Sequence, residues 1–522
     1  MELHEENPFK VKSIANAAFK LDKTDIALQG LTLQELEKIE GIGKSIASKI
    51  NEMQTTGTLK ELDEMLGRTP AGIVDMLGIK GIGPKKVGQL WRELQIESVG
   101  ELLYACNENR LTGLKGFGAK TQEQLKKQIE FHQSSRGKFH YASLENFAND
   151  LVEILKKQYY TELVSLTGAM RRKSEIIEQI EIIIATDQQI QEQALENKFG
   201  VKLNIITCAS KDFYTTLFKT TAHPEHLKQL NELTIQQPVS EQEIYSSYQL
   251  AYIEPELREG LTEIELAKGN KLPQLIQYTD LKGILHNHST YSDGIHSLKE
   301  MAEHCKQLGY EYLGICDHSQ SAFYANGLKP DRVLEQHREI DQLNKQLHPF
   351  KIFKGIESDI LNDGSLDYEP DVLKTFDFIV ASVHSNLKMT EEKATARIIR
   401  AIENPYTTLL GHPTGRLLLS REGYPIDHKK IIDACAANGV IIELNAHPYR
   451  LDIDWRWIPY CLEKGVKISI NPDAHEKNGY EDMKYGTYVA RKGMLTKEMC
   501  FNAMKREEME IYLNEKKNHN LS

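Results

Sequence analysis

The sequence lacks any apolar run near the roughly 18 residues that a membrane-crossing helix needs, so no span is expected. Its opening, MELHEENPFK, lacks the basic stretch and the apolar stretch of a secretory signal. Its seven cysteines (106, 208, 305, 316, 435, 461 and 500) form no CxxC pair, and they read as reduced, buried thiols of a cytoplasmic protein. Proline and glycine are not in excess, at 16 and 34 residues, and 40% of the chain is hydrophobic and 27% charged. That balance excludes wholesale disorder, collagen and coiled coil. Surplus positive charge is also missing: the net charge is −11 and the pI near 6.0, against a bulk nucleic-acid binder. The length, 522 residues, suggests three or four domains.

The charge is uneven. Residues 1–140 hold 20 Lys+Arg and 19 Asp+Glu, and the remaining 44 and 56 lie beyond them. Histidine is uneven as well, with 13 of 18 after residue 280, a first pointer to metal chemistry in the C-terminal half.

Three stretches in the first part look alike: Ile39-Glu-Gly41-Ile-Gly43-Lys44, Ile79-Lys-Gly81-Ile-Gly83-Pro84-Lys85, and Leu114-Lys-Gly116-Phe-Gly118-Ala-Lys120. Each is apolar-x-Gly-apolar-Gly, followed by a helical pattern with a basic residue in its first turn. The glycines permit positive φ and close backbone approach. The helix after them opens with free N–H groups and a positive dipole end, which suits a phosphate. The alternative is three ordinary helix connections with glycine caps. Three copies, each with a following lysine, favour the phosphate reading.

These stretches resemble helix-hairpin-helix motifs, which grip the DNA backbone without reading sequence. The resemblance implies DNA contact through Gly41, Gly43, Lys44, Gly81, Gly83, Lys85, Gly116, Gly118 and Lys120, and possible monovalent-cation sites on the hairpin carbonyls. The run from Gly41 to Ile50, followed by Thr56-Gly57-Thr58-Leu59, is similar to the small N-terminal domain of family X DNA polymerases. In that family the position of Lys49 can form a Schiff base with an abasic sugar. The other reading of Lys49 is a solvated helix lysine.

The same family leads one to expect a polymerase palm next. Thr167-Gly168-Ala169-Met170-Arg171-Arg172 resembles the segment that opens it, with Ala169 where the family has serine. The paired aspartates of the family fall on Gln179 and Glu181, and the third on Asn204. Two Mg²⁺ ions need several carboxylate oxygens close together. Two amides and one lengthened acid leave a formal charge of about −1 where the family has about −3, so metal affinity should collapse. Residues 213–230 and 241–260 match the later palm and thumb. The polymerase body is therefore expected to be retained but silent.

Beyond residue 281, short apolar runs end abruptly in His, Asp or Glu. These ends are His286-Asn-His288, Asp317-His318, Glu357, His384, His412, the strand reaching Asn445, and Asp473-Ala-His475. Helical patterns at 297–308 and 429–438 lie between such runs. Alternating strands and helices predict a parallel sheet, and ligand-type residues at strand C-terminal ends predict a barrel with its site on that face. Seven strands make it a (β/α)₇ variant. His286-x-His288 puts both imidazoles on one face of a strand.

This set resembles the polymerase-and-histidinol-phosphatase (PHP) domain, in the version fused to bacterial family X polymerases. The motifs are His286-Asn-His288-Ser-Thr-Tyr-Ser-Asp293-Gly, Asp317-His318-Ser, Gly355-Ile-Glu357, Ser382-Val-His384-Ser, Gly411-His412-Pro and Asp473-Ala-His475. The resemblance implies three metals. His286, His288, Glu357 and Asp473 would hold the first. Glu357 would bridge to a second, completed by His384 and His412, and Asp293, His318 and His475 would hold the third. Zn²⁺ or Mn²⁺ suits such mixed shells better than Mg²⁺. Glu357, His384, Asp473 and Arg416 are the candidate catalytic residues. Arg416 and Arg450 are candidates for substrate phosphate, or else surface ion pairs. His447 could face the site or cap a loop.

The expected fold is multidomain α/β. It comprises a helix-hairpin-helix domain at 1–90, a fingers-like one at 91–144, a reduced palm and thumb (α+β) at 145–262, a linker at 263–280, and a (β/α)₇ PHP barrel at 281–522. The expected function is a DNA-binding, metal-dependent phosphoesterase, a 3′–5′ exonuclease or 3′-end processing enzyme of DNA repair. Its partner would be DNA bound without sequence preference, at 3′ ends, gapped or damaged. A working gap-filling polymerase is disfavoured by Gln179, Glu181 and Asn204. A non-catalytic DNA scaffold is disfavoured by the intact ligands, and a small-molecule phosphatase by the DNA-gripping half.

Overall fold

The computed structural model describes residues 1–522 except 23–27, 40, 80, 135–136, 191–194, 196, 198, 231–235 and 520–522. Met1–Leu103 with Glu123–Ile129 form one compact unit, and Tyr104–Gln122 with Glu130–Ser522 form the other.

The first unit is helical. Helix α1 (Lys44–Thr56) starts directly after Gly43, and α2 (Pro84–Leu94) directly after Gly83, with Pro84 presetting φ in its first turn. A small core of Ala17, Leu36, Ile42, Ile46 and Ala47 lies under the first hairpin. Upstream of that hairpin lies a single helical turn, Leu33–Leu36, capped by Thr32 and Glu35. The helix α3 (Val99–Asn107) runs on into residues of the second unit, where the third hairpin lies, and α4 (Ala119–Ser134) follows that hairpin.

The hairpins repeat at atomic detail. Gly41, Gly81 and Gly116 have φ of 89°, 96° and 89°, a region where a side chain is strained. The apolar residue after each is buried (Ile42, Ile82 and Phe117), and each donates the same backbone bond, to Ile39, Ile79 and Leu114 respectively. The buried residue pins the turn, while both glycines and the lysine stay exposed.

In the second unit, α5 (Tyr141–Tyr159) packs on a three-stranded sheet of β1 (Val164–Leu166), β2 (Gln179–Ala185) and β3 (Lys202–Cys208), in the order β1-β2-β3. The expected linker begins as a helix, Glu263–Lys268, and Ile264, Ala267 and Leu275 join a core with Ile253 and Leu257. Its apolar residues are packed, so the segment is part of the folded body.

Seven parallel strands then follow in chain order: β4 (Gly283–Ile284), β5 (Tyr312–Ile315), β6 (Lys351–Asp359), β7 (Phe378–Ser382), β8 (Leu409–Leu410), β9 (Ile441–Asn445) and β10 (Ile468–Asn471). The strands are almost wholly buried, as a sheet covered on both sides requires. Backbone bonds from His288 to Ala474 and from Asp473 to His286 join the chain beyond β4 to that beyond β10, closing the ring at its C-terminal rim. Helices Leu298–Gln307 and His428–Asn438 fall where the sequence places them. The palm-like body is tied to the barrel by Lys492, which is buried and donates to Glu259 and the Arg172 carbonyl. Tyr488 adds a bond to Glu145.

Candidate metal centre

The end of nearly every barrel strand delivers a donor to one place. His286 and His288 follow β4, His318 follows β5, Glu357 lies near the end of β6, His384 follows β7, His412 follows β8, and Asp473 and His475 follow β10. Glu357 is at the centre. Its Oε1 lies 3.4, 3.1 and 3.0 Å from Nε2 of His286, His384 and His412. Its Oε2 lies 3.8 Å from His288 Nε2 and 2.9 Å from His318 Nδ1. Asp473 Oδ1 is 2.9 Å from His288 Nε2 and 3.4 Å from His286 Nε2. Asp293 faces His318 at 3.6 Å, His475 at 3.5 Å and His288 at 4.0 Å.

Among the described residues, three donor groups are compact enough to hold an ion: His288, Asp293, His318 and His475; His286, His288 and Asp473; and His318, Glu357 and His384. His288 and His318 each belong to two groups, so the donors form one continuous cluster rather than three separate cages.

The donors fit divalent cations. Both oxygens of Asp293, Oε2 of Glu357, and Nε2 of His286 and His475 are buried without a hydrogen-bond partner. A carboxylate sealed from water without a donor costs several kcal/mol, unless a cation sits against it. The opposite nitrogens of three rings are held: His286 Nδ1 by Glu443 at 2.7 Å, His384 Nδ1 by Asp359 at 2.5 Å, and His475 Nδ1 by the Asp473 carbonyl at 3.0 Å. Such partners fix the tautomer and aim Nε2 inward, the usual support of a metal-ligating histidine. Asp473 has φ 53°, uncommon for a residue with a side chain and typical of a constrained site.

The electrostatics agree. Burial would raise Glu357 and Asp473, but the imidazoles around them hold both well below the usual carboxylate range. Burial would lower His286, but Glu443, Asp473 and Glu357 lift it well above its ordinary value. His288, by contrast, is pushed down to about 3 by burial and by His475 and His318.

Sequence reasoning missed Glu443, Asn445 and Asp359 as parts of the site. Asn445 Nδ2 holds Asp473 Oδ2 at 3.0 Å. Their signal was present: Glu443 and Asn445 interrupt an apolar strand, and Asp359 ends one. Asp317 accepts from Ser289, Ser292 and Gln336, and thereby shapes the loop that presents Asp293. His447 caps its own loop, with Nδ1 accepting from the Tyr449 backbone at 3.2 Å. Arg416 is committed to Asp454 and to the carbonyls of Arg450 and Leu451. Arg450 donates to the Tyr104 hydroxyl at 2.8 Å.

The palm positions also meet. Gln179 and Glu181 alternate with buried Ile180 and Ile182 on β2, and Asn204 sits opposite Glu181 on β3, with its amide 3.5 Å from the carboxylate. Gly168 backs onto Glu181, and a Cβ there would fall 1.8 Å from a carboxylate oxygen. Arg171 is paired with Glu241, and Arg172 with Glu259. In the other unit Lys49 donates to Glu61, which also receives Lys10. Lys44, Lys85 and Lys120 stand exposed in the first turns of α1, α2 and α4.

A seven-stranded barrel with this cluster on its C-terminal rim defines a PHP-type barrel, and the PHP domain model matches residues 285–447. A helix-hairpin-helix domain model matches 1–59, and a SAM-like helix-hairpin-helix tandem model matches 73–130. The chain is 34% identical to the DNA polymerase/3′-5′ exonuclease PolX of Bacillus subtilis (strain 168), over 98% of this chain and 96% of that protein, and it belongs to that family of bacterial family X polymerases with a C-terminal PHP domain. A probable phosphatase of Acetivibrio thermocellus is 28% identical over 36% of this chain and 78% of its own length. The solved histidinol phosphate phosphatase of Lactococcus lactis subsp. lactis Il1403, in complex with zinc, L-histidinol and phosphate, matches 41% of this chain and 93% of that chain. Its identity is 17% and its TM-score 0.33, too remote a likeness to bear on the site. No described helix is long and apolar enough to cross a membrane.

Proposed function

We propose that this protein is a metal-dependent phosphoesterase that trims or repairs DNA 3′ ends, and that its polymerase centre is silent. The observation that carries the reading is the contrast between two sites in one chain. The barrel rim gathers nine imidazole and carboxylate donors with orphaned, inward-facing atoms, whereas the palm offers one carboxylate flanked by amides.

Bound divalent ions there, three of Zn²⁺ or Mn²⁺ in our reading, would supply Lewis acidity to a phosphodiester and acidify nearby water. The chain's own residues do the rest. Glu357 turns Oε1 toward His286, His384 and His412 and Oε2 toward His288 and His318, so it could hold a cation on each oxygen. Glu443, Asp359 and Asn445 keep His286, His384 and Asp473 aimed inward, which lowers the cost of reorganisation during the reaction. The hairpins supply a backbone grip on DNA that does not depend on sequence. The DNA polymerase and 3′-5′ exonuclease activities named for the Bacillus subtilis relative, matched over 98% of this chain, support DNA as the substrate.

The test is incubation of the purified protein with recessed, gapped and abasic DNA labelled at either end, with Mn²⁺ or Zn²⁺, with and without dNTPs. The reading expects 3′ shortening that a chelator abolishes and no templated extension. Extension that Glu181→Ala abolishes would overturn the silent-palm part.

A further inference from the structure

A piece of the helical half reaches the barrel rim. The segment Tyr104–Gln122 belongs to the same compact unit as the barrel. Its first residue, Tyr104, is buried; its hydroxyl lies 3.3 Å from Asp473 Oδ2 and accepts from Arg450 Nε at 2.8 Å. The end of α3 is therefore anchored on a residue of the donor cluster. Six residues on, Arg110 lays its guanidinium over the Tyr324 ring, 4.4 Å from its centre, and Tyr324 in turn lies 6.3 Å from the His318 ring.

Arg110 is unlike the other arginines placed around this rim. Arg416 is spent on Asp454 and two carbonyls, Arg397 on the carbonyls of Ile360, Leu361 and Ser385, and Arg332 on those of Tyr291 and Asn326. Arg110 makes no side-chain hydrogen bond among the described residues. Its Nε is buried without a partner, and its sole ion pair among the described residues, with Glu108, is long at 3.6 Å. Its side chain keeps 20% exposure, so one edge of the fork faces open space beside the cluster. Asp293 is near enough for its charge to act on Arg110. A guanidinium that is preorganised by stacking, anchored next to a cation site and left with free donors is built to receive an anion with paired oxygens.

We propose that Arg110, from the hairpin segment, binds a non-bridging oxygen of the phosphodiester being cut, so that the hydrolytic site is a composite of barrel and hairpin. Tyr104 is a positioning residue that locks this segment to Asp473. The proposal rests on the phosphoesterase reading above. It also gives a reason for the third hairpin, Gly116 to Lys120, to follow directly: a strand held there is delivered next to the cutting site.

The experiment uses the full-length, metal-loaded protein and a small phosphodiester, thymidine 5′-(4-nitrophenyl) phosphate, which is too short to need the hairpins. Arg110→Ala, Arg110→Lys and Arg110→Gln are compared with wild type for kcat and KM, for inorganic phosphate affinity by calorimetry, and for metal content. Loss of one such contact is expected to lower kcat/KM about 100-fold in Arg110→Ala and to weaken phosphate binding, with metal content unchanged. Arg110→Lys should recover part of both, and Arg110→Gln neither. Wild-type kinetics and phosphate affinity in Arg110→Ala would overturn the proposal. If Arg110→Ala loses metal or fold, the Lys and Gln variants decide, and equal behaviour of the two would overturn it. A wild-type protein that cleaves no phosphodiester sinks the phosphoesterase reading instead, a result distinct from an active enzyme indifferent to Arg110.

Discussion

Asp293 shows what single residues contribute here: it is buried with neither oxygen hydrogen-bonded and faces His318, His475 and His288, a setting in which a bound cation would offset the cost of burial. Glu357 carries the greatest load, since five imidazoles lie within 4 Å of it. Glu357→Gln keeps the shape and removes the charge, so it should lower bound metal by more than one equivalent and abolish hydrolysis. His318→Ala should lose about one equivalent, and metal analysis beside wild type compares them. Protons report on the same cluster. Burial alone would depress His384 and His475, but Glu357 and Asp359 around the first and Asp293 beside the second push each up to about 10. Both rings are therefore expected to carry protons at neutral pH before metal binds, whereas a ligand must present a lone pair. Metal uptake should release protons, and apparent affinity should rise with pH until it passes about 10. Calorimetric titrations in buffers of different ionisation enthalpy would expose this, and identical apparent enthalpies would refute it. Eight of the nine proposed donors stand at or just past the ends of apolar runs, and Asp293 was singled out only by the motif it shares with His286 and His288. Glu443 and Asn445 were visible only as polar interruptions of an apolar strand and Asp359 only as the end of one, and what they hold could not be read without the barrel closed. Tyr104 and Arg110 were illegible, because Tyr104 and Asp473 are 369 residues apart and no local pattern couples them.

Among the elements, the hairpins and the palm sheet make opposite cases. The hairpins announced themselves by repetition, and their identical turn bonds, positive glycine φ and buried middle residue follow from that five-residue pattern. What the pattern did not show was that the helix before the first hairpin is a single turn. If Lys44 and Lys85 touch phosphates, the double variant Lys44→Glu/Lys85→Glu should weaken DNA binding and flatten its salt dependence by about one unit of slope per lost contact. Cleavage of the small phosphodiester should not change. Equal loss of both activities would mean that the lysines support the fold. The palm sheet pairs Glu181 with Asn204, and Gly168 makes room for the Glu181 side chain. Glu181→Ala should therefore leave DNA-end processing unaltered within about twofold, since a lone surface-facing acid has no second carboxylate with which to hold an ion. A large drop in end processing would show that the palm takes part in the reaction.

Along the chain the helix-hairpin-helix domains are followed by a palm-like body and then by the barrel, and Lys492 with Glu259 and Tyr488 with Glu145 fasten that body to the barrel. Fold class and the order of parts followed from strand-and-helix alternation and from the family motifs. The packing of the expected linker did not, because Gly, Asn and Pro break its period while Ile264, Ala267 and Leu275 still find a core. The central claim is that one of two nucleotide-handling sites works and the other does not. It is tested most directly by one gel: the wild-type protein on a gapped primer–template labelled at the primer 5′ end, with Mn²⁺ and all four dNTPs. The account predicts a ladder of shortened primers that vanishes in Glu357→Gln and no band longer than the primer. Primers extended to fill the gap, with shortening absent or indifferent to Glu357→Gln, would contradict it.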